Sequence, residues 1–282
     1  MPNLNVVQSL DLDEEPFVEV DPAGRYGRYE ELLGEGGQKK VYRGFDQEEG
    51  IEVAWNLLKV ILINLRKFIH NSEMLDQIRM EVKVLGNVKH ENILTLYHSW
   101  VDVPHCRLNF ITEICTSGSL LSYTKKHRRV SMKGVKKWCR QILRGIEYLH
   151  THNHCIIYGD IKSDNVFING NSGEDHVAHS MEFMAPEMYN GTFTETIDIY
   201  AFGMCLMEIV TGELPYLECR CQAETMKRVS SGVKPHCLER VKDPEIKAFI
   251  VKCLGKAGNR PSATNLLEDP FFDGLDDDDD NA

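Results

Sequence analysis

The sequence predicts an α+β fold of two lobes, a β-rich N-terminal lobe with one long helix and a mainly helical C-terminal lobe. Three observations support this prediction. A chain of 282 residues is long for one core and sufficient for two lobes that share a cleft, since domains typically hold about 100–200 residues. Residues 29–58 alternate apolar and polar positions between glycine-containing and acidic turns, which is typical of an antiparallel meander. After residue 119 the apolar residues recur at helical spacing.

The N-terminal lobe is predicted to contain one sheet and one helix. Apolar residues at spacings of three and four, Leu75, Ile78, Val82 and Leu85, indicate the helix, and Gly86 ends it. The predicted strands cover residues 29–33, 40–45, 51–58, 93–101 and 107–114. Residues 60–64 form an apolar insertion before the helix, or they lengthen the third strand.

The C-terminal lobe is predicted from its helical stripes. Residues 135–149 carry one apolar stripe, and residues 197–210 are apolar almost all round, which is typical of a helix buried inside a lobe. Two amphipathic helices follow at about residues 243–254 and 263–267. We therefore expect a domain at residues 28–272, with an N-lobe at 28–112, a hinge at 113–118 and a C-lobe at 119–272. Acidic tails are expected at residues 1–27 and 273–282, and we interpret both as solvated.

Charge and composition exclude several classes of function. The formal net charge of −11 argues against binding to nucleic acid or to an anionic membrane surface, because both repel an acidic chain. The most apolar stretch, residues 57–65, is too short to span a bilayer, and no signal peptide is recognisable at the start. The nine cysteines include no C-x-x-C pair, so we expect reduced thiols and a cytoplasmic or nuclear setting.

A set of short motifs occurs in a fixed order along the chain. A glycine turn, Gly34-Glu35-Gly36-Gly37, lies between two predicted strands, where backbone N–H groups can approach phosphates. Such a turn is weak evidence alone, and the motifs after it raise its value. They are Val-Ala-Trp-Asn at 53–56, Glu81, Thr112-Glu113, Tyr-Gly-Asp-Ile-Lys-Ser-Asp-Asn at 158–165, Ala-Pro-Glu at 185–187, Asp198 and Arg-Pro-Ser at 260–262. Over about residues 28–272 the chain resembles a protein kinase.

Two departures from the common kinase pattern point to a subfamily. Most kinases have lysine where this chain has Asn56, and the third glycine of their glycine-rich loop is here Lys39. Because strand side chains alternate between faces, Lys39 and Val41 share a face and Lys40 points the other way. With this relocated lysine, the chain resembles the with-no-lysine kinases. Its sequence as a whole is similar to those of plant members. The alternative is that both lysines are solvent-exposed on a hairpin.

The resemblance implies a role for each matching residue. Asp160 would be the catalytic aspartate, Lys162 would stabilise charge on the transferring phosphoryl group, and Asn165 would bind Mg²⁺. Asp198 would brace the catalytic loop. ATP would be bound by Gly34, Gly36, Gly37, Lys39, Val41, Ala54, Glu81, Thr112, Glu113, Ile114 and Cys115. The substrates would be proteins.

Two further pairings follow from the same resemblance. Glu81 would pair with Lys39 and hold its helix inward. Glu187 and Arg260 would form an ion pair in the C-lobe, and Ser180 would be a regulatory phosphorylation site.

The chain lacks one motif that kinases use to hold metal. No Asp-Phe-Gly or Asp-Leu-Gly occurs, and only twenty positions separate Asn165 from Ala185, an interval roughly 15–20 residues shorter than in the family. Loss of a principal magnesium ligand is expected to slow phosphoryl transfer on the order of 10²–10⁴-fold or more. Asp175 or Glu174 could replace it. The usual His-Arg-Asp is Tyr158-Gly159-Asp160, which removes the arginine that contacts a phosphorylated loop.

The sequence leaves two functions open. The first is an ATP-dependent serine/threonine protein kinase of the with-no-lysine type. The second is a pseudokinase, a kinase fold that acts as a protein-interaction scaffold without phosphoryl transfer. The retained Asp160, Lys162 and Asn165 favour the first, and the missing metal-binding segment favours the second.

Overall fold

A computed structural model describes residues 16–35, 39–59, 86–102, 104–105, 107–115, 118–127, 130–167 and 181–275. The helix predicted at residues 75–85 and the apolar segment at 60–64 lie outside these ranges. Within them, the chain forms the predicted α+β arrangement of a β-rich N-lobe followed by a mainly helical C-lobe. No helix in the described ranges combines the length and the apolar character needed to cross a bilayer.

The N-lobe is built on one antiparallel sheet of six strands in the order β1-β2-β3-β4-β6-β5. The strands are β1 (Glu19–Val20), β2 (Tyr26–Glu35), β3 (Lys39–Asp46), β4 (Ile51–Lys59), β5 (Leu96–Asp102) and β6 (Arg107–Glu113). Consecutive strands pair as hairpins except where β6 inserts between β4 and β5. The five predicted strands are thus confirmed, with bounds that differ by a few residues at their ends.

One face of this sheet carries the N-lobe's apolar cluster. Val53 and Trp55 on β4 and Ile111 on β6 are fully buried with Tyr26 of β2. The Trp55 indole packs edge-on against Trp100 at 4.8 Å between ring centroids. The residues between them on β4 therefore face the opposite side of the sheet, and that side carries the motif residues described below.

The sheet begins earlier than the sequence predicts. Residues 1–27 were expected to be an acidic tail, but β1 pairs with β2, and Glu19 forms an ion pair with Arg28 at 3.0 Å. Asp21 is only 4% exposed because its carboxylate accepts the backbone N–H of Tyr26 at 2.7 Å. The tail prediction is therefore wrong for residues 16–27, where acidic side chains make specific contacts in place of solvation.

The C-lobe consists of helices packed around one central helix. The helices are α1 (Leu120–Lys126), α2 (Met132–Thr151), α3 (Thr196–Thr211), α4 (Gln222–Ser230), α5 (Pro244–Cys253) and α6 (Ala263–Leu267). Residues 197–208 of α3 are all buried, as its apolar composition predicts. Helix α2 buries Val135, Cys139, Leu143, Ile146 and Leu149 against the core, which confirms the predicted stripe. All eight described cysteines are free thiols.

A buried ion pair joins two distant parts of the C-lobe. The Arg260 Nη1 atom donates to Glu187 Oε1 at 2.6 Å and to the backbone oxygen of Thr196 at 2.6 Å. The Arg260 side chain is fully buried and lies over the Tyr200 ring, while Glu187 is 13% exposed. The predicted pairing of Glu187 with Arg260 is thus confirmed. It ties the segment before α3 to the segment before α6.

Replacing Arg260 with leucine should lower the free energy of unfolding by about 3–5 kcal/mol. The reason is that the Glu187 carboxylate would stay in a largely buried place without its cation. Urea unfolding followed by far-UV circular dichroism measures the change.

A matched control is Arg240→Leu, which breaks the ion pair with Glu213 at a residue whose side chain is 67% exposed. That change should cost at most about 1 kcal/mol. Equal losses in the two variants would show that burial does not govern the strength of the Glu187–Arg260 pair.

Candidate active site

The two lysines after the glycine turn point to opposite faces of β3. Lys40 forms an ion pair with Glu35 at 2.7 Å, and this hydrogen bond raises the pKa of the lysine. Lys39 extends over the other face, where its Nζ lies 5.5 Å from the centroid of the Phe110 ring. The alternation predicted for the two lysines is therefore present. The alternative, in which both lysines are solvent-exposed on a hairpin, does not describe Lys39, because Lys39 is half-buried.

Asn56 shares a sheet face with Lys39, and its amide nitrogen is hydrogen-bonded within the protein. It lies opposite Val41 on one side and opposite Phe110 on the other. Its amide nitrogen donates to Thr112 Oγ1 at 3.0 Å and to the backbone oxygen of Ala54 at 3.1 Å, and the residue is 3% exposed. Both amide hydrogens are thus used within the sheet, so Asn56 has none to give a phosphate.

The segment predicted to contact adenine continues from this face into the link between the lobes. Thr112 is buried at the end of β6, and Ile114 and Cys115 after it are half-buried. The Glu113 side chain turns to the sheet edge, where it accepts the backbone N–H of Thr95 at 2.6 Å. Any contact from Glu113 to a base would therefore come from its backbone.

The segment 158–165, the predicted catalytic loop, brings three predicted site residues together. Asn165 donates through its amide nitrogen to the backbone oxygen of Asp160 and to Asp160 Oδ2, both at 2.8 Å. Lys162 Nζ lies 3.6 Å from Asp160 Oδ1, and the Lys162 side chain is 2% exposed. The carboxylate of Asp160 is 39% exposed, so it is held by two neighbours and still reaches the surface of the cleft.

A carboxylate on α3 holds the backbone of this loop. Asp198, 1% exposed, accepts the N–H of Tyr158 and the N–H of Gly159, each at 2.8 Å. Its Oδ2 also accepts from the ring of His150 at 2.9 Å, so that Nε2 carries the hydrogen. Gly159 has φ +75°, a left-handed conformation that costs other residues roughly 1–2 kcal/mol. The predicted bracing role of Asp198 is confirmed. Gly159 stands where the family has arginine, and as a glycine it adopts this backbone conformation without strain.

Sequence reasoning missed a second link between α3 and the loop. Ser163 donates its hydroxyl hydrogen to Glu208 Oε2, and both residues are buried. Burial raises the pKa of Glu208 to about 6, although the Ser163 hydrogen bond acts in the opposite direction. A glutamate in a helix that is apolar almost all round was the signal that could have revealed this link, because a buried carboxylate requires a partner.

The described residues supply only part of a magnesium site. With both amide hydrogens of Asn165 donated to Asp160, its carbonyl oxygen is the atom it can offer to a cation. Magnesium takes oxygen ligands in near-octahedral geometry, normally with one or two carboxylates. Within the described ranges, no cluster of three or more His, Cys, Asp or Glu side chains could hold a metal ion. The donor set described is therefore too small for a protein-bound Mg²⁺.

Several predicted site residues lie outside the described ranges. They are Gly36, Gly37, Glu81, Glu174, Asp175 and Ser180. Their proposed roles remain predictions from the sequence.

Comparisons with known proteins agree on one family. A family model described as protein kinase domain matches residues 28–272. A probable serine/threonine-protein kinase WNK5 from Oryza sativa subsp. japonica is 50% identical over 94% of this chain and 85% of its own length. Serine/threonine-protein kinase WNK8 from Arabidopsis thaliana is 46% identical over 94% of this chain and 49% of its own length.

Two further matches are consistent with these. A probable serine/threonine-protein kinase WNK10 from Arabidopsis thaliana is 46% identical over 93% of this chain and 52% of its own length. The chain thus spans about half the length of the two Arabidopsis relatives. The crystal structure of Rad53 1-466 in complex with AMP-PNP superposes with a TM-score of 0.72 and 21% identity, covering 89% of this chain and 66% of that chain, which supports the fold.

Glu208 should make the stability of the protein depend on pH. Its pKa of about 6 lies above the ordinary value of 4.5, so the native state binds this proton more tightly than the unfolded state. The free energy of unfolding should therefore fall as pH rises from below about 4.5 to above about 6, by about 2 kcal/mol from this group. The change to test is Glu208→Gln, which keeps an acceptor for Ser163 and cannot titrate.

The measurement is urea unfolding of both proteins between pH 4 and pH 7, and the quantity compared is the difference between them at each pH. Ser163→Ala is the second variant, because loss of its hydrogen bond should raise the pKa of Glu208 further and extend the fall to higher pH. Parallel pH profiles for wild type and Glu208→Gln would contradict the assignment.

Proposed function

The chain belongs to the protein kinase family and, within it, to the with-no-lysine serine/threonine kinases, and from this premise we propose that it binds ATP between its lobes and transfers the γ-phosphate to serine or threonine of protein substrates. The observation that carries this proposal is the arrangement of Asp160, which is held by Asn165 and Lys162 and remains partly exposed. A scaffold protein has no evident need for that arrangement. We place this activity in the cytoplasm, as the reduced cysteines suggest.

Lys39 is proposed to supply the positive charge that the family's lysine position lacks here. It extends along the sheet face that also carries Val41, Ala54 and Asn56. A lysine on this face would meet the phosphates of a nucleotide whose base lies against Ala54 and the segment 112–115. Asn56 cannot take that role, because its amide hydrogens are bonded to Thr112 and Ala54.

Asp160 and Lys162 are proposed to act on the two sides of the transfer. Asp160 would orient the substrate hydroxyl and accept its proton, since one of its oxygens is fixed by Asn165. Lys162 would balance negative charge that develops on the transferred group. Asn165 would offer its amide oxygen to a magnesium ion that arrives with ATP, and the ion would neutralise the β and γ oxygens. Because the described donor set is incomplete, no step is assigned to that ion.

A second candidate function is a scaffold that binds partner proteins without phosphoryl transfer. The absence of Asp-Phe-Gly or Asp-Leu-Gly between Asn165 and Ala185 specifically favours it. The two candidates make different predictions for turnover.

Lys39→Met should weaken ATP binding by roughly 10- to 100-fold, because a charge-assisted hydrogen bond of about 1.5–3 kcal/mol is lost. Lys40→Met is the matched control, since Lys40 is the adjacent lysine on the other face and pairs with Glu35. Isothermal titration calorimetry with a non-hydrolysable ATP analogue measures both. Similar losses in both variants would argue that general charge, and not the face of β3, determines binding.

Transfer of labelled γ-phosphate from Mg·ATP to the protein itself and to a basic protein substrate tests turnover. Asp160→Asn should reduce transfer to background, because an amide cannot accept the hydroxyl proton. If wild type and Asp160→Asn are indistinguishable while wild type binds the ATP analogue, the kinase proposal is wrong and the scaffold remains.

A further inference from the structure

Phe110 on β6 contacts the relocated lysine, a role that the sequence did not indicate. Lys39 Nζ lies over the Phe110 ring, 5.5 Å from its centroid. An ammonium group within about 6 Å of a ring centroid is attracted to the ring face, because that face carries partial negative charge. The two side chains therefore form a cation–π contact on the sheet face that carries Asn56.

The register of the sheet shows that this contact crosses a strand. Lys39 on β3 lies opposite Leu58 of β4, and Asn56 of β4 lies opposite Phe110 of β6. Strand β4 therefore separates Lys39 from Phe110 by two strand spacings, or roughly 10 Å. Side chains that stood perpendicular to the sheet would stay about that far apart. The observed 5.5 Å requires at least one of the two to lean over β4.

The contact lies over the part of β4 where most kinases carry their lysine. In register it falls beside Asn56, on the side towards the end of the strand. The Asn56 amide turns the other way, because it donates to Thr112 Oγ1 and to the backbone oxygen of Ala54, which lie towards the start of β4. The Lys39 ammonium and the Phe110 ring thus meet next to position 56 from opposite sides.

We propose that Phe110 is a positioning residue for Lys39. Its ring holds the ammonium over β4, so that a lysine on β3 reaches the place that position 56 serves in the common kinase pattern. The ring acts through the lysine and not on the nucleotide. This inference rests on the proposed function, in which Lys39 meets the phosphates of ATP.

A ring face orients a lysine without adding negative charge. A lysine side chain loses rotamer freedom when its ammonium is fixed, and a contact made before the nucleotide arrives reduces the loss on binding. An ammonium that rests on a ring can still donate its hydrogens to oxygen acceptors, which include phosphates and carboxylates. The contact is therefore compatible with the predicted pairing of Lys39 with Glu81, which lies outside the described residues.

The contact itself can be tested in the full chain without nucleotide. Reductive methylation with ¹³C-formaldehyde labels the lysine amines and keeps their positive charge. Methyl groups above a ring face resonate upfield, so the Lys39 signal, assigned with Lys39→Arg, should move downfield in Phe110→Leu. Lys40 is the matched control and should keep its shift, because it lies on the other face and pairs with Glu35. A Lys39 signal that does not respond to Phe110→Leu would overturn the inference.

Fluorination of the ring tests whether the contact positions Lys39 for ATP. Phe110 is replaced by its mono-, di- and trifluoro analogues, which draw electron density from the ring face with little change in size. The affinity for a non-hydrolysable ATP analogue, measured by isothermal titration calorimetry, should fall stepwise by about three- to tenfold in total. A purely structural role predicts no graded loss, because the shape of the ring is nearly constant. Unchanged or tighter binding along the series would contradict positioning.

Two control series establish whether the effect passes through the lysine. In the Lys39→Met background the fluorine series at Phe110 should be flat, because the cation that senses the ring is gone. The same series at Phe45, a half-buried phenylalanine at the other end of β3, should leave the affinity unchanged. A graded loss in either control would show that fluorine acts by another route, and the inference would be wrong.

The same measurements separate this inference from the proposed function. If Lys39→Met leaves the affinity for the ATP analogue unchanged, the proposed role of Lys39 is wrong and the positioning role is lost with it. If Lys39→Met weakens binding but fluorination of Phe110 does not, Lys39 binds nucleotide as proposed and Phe110 does not position it. A stepwise loss that requires Lys39 supports both.

Discussion

The position of the catalytic loop depends on one buried carboxylate, that of Asp198. It accepts the backbone N–H groups of Tyr158 and Gly159 and the ring of His150, so three donors from two segments converge on it. Each buried donor left unpaired would cost about 1–3 kcal/mol, and an asparagine at 198 could not accept all three. Asp198 lies on a helix whose residues 197–208 are buried. Its hydrogen bonds therefore attach the loop backbone directly to the C-lobe core. Asp160 is the next residue after Tyr158 and Gly159, whose amides Asp198 holds.

The features that could be predicted from sequence are those with a local pattern. The apolar stripe of α2 and the almost wholly apolar α3 were readable from periodicity, because burial selects apolar residues at the spacing of the element. The Glu187–Arg260 pair was predicted from the family resemblance and is present. The opposite directions of Lys39 and Lys40 followed from strand alternation alone.

The features that could not be predicted depend on contacts between distant positions. Asn56 bonds Thr112 across 56 positions, and Ser163 bonds Glu208 across 45, and neither partner is marked by a local pattern. The ordering of residues 16–27 has a similar cause. Acidic composition suggested a solvated tail, but Asp21 finds a backbone donor in Tyr26, and burial of a satisfied carboxylate is then tolerated.

The hydrogen bond between Asn56 and Thr112 also bears on ligand selectivity. Both residues are buried, so the bond between them lies inside the sheet. The Asn56 amide donates to the Thr112 hydroxyl at 3.0 Å. A ligand that entered this space would separate the pair and leave two buried polar groups unpaired, at about 1–3 kcal/mol for each. If adenine lies against residues 112–115, as proposed, ligands that leave this pair intact should be favoured over ligands that separate it.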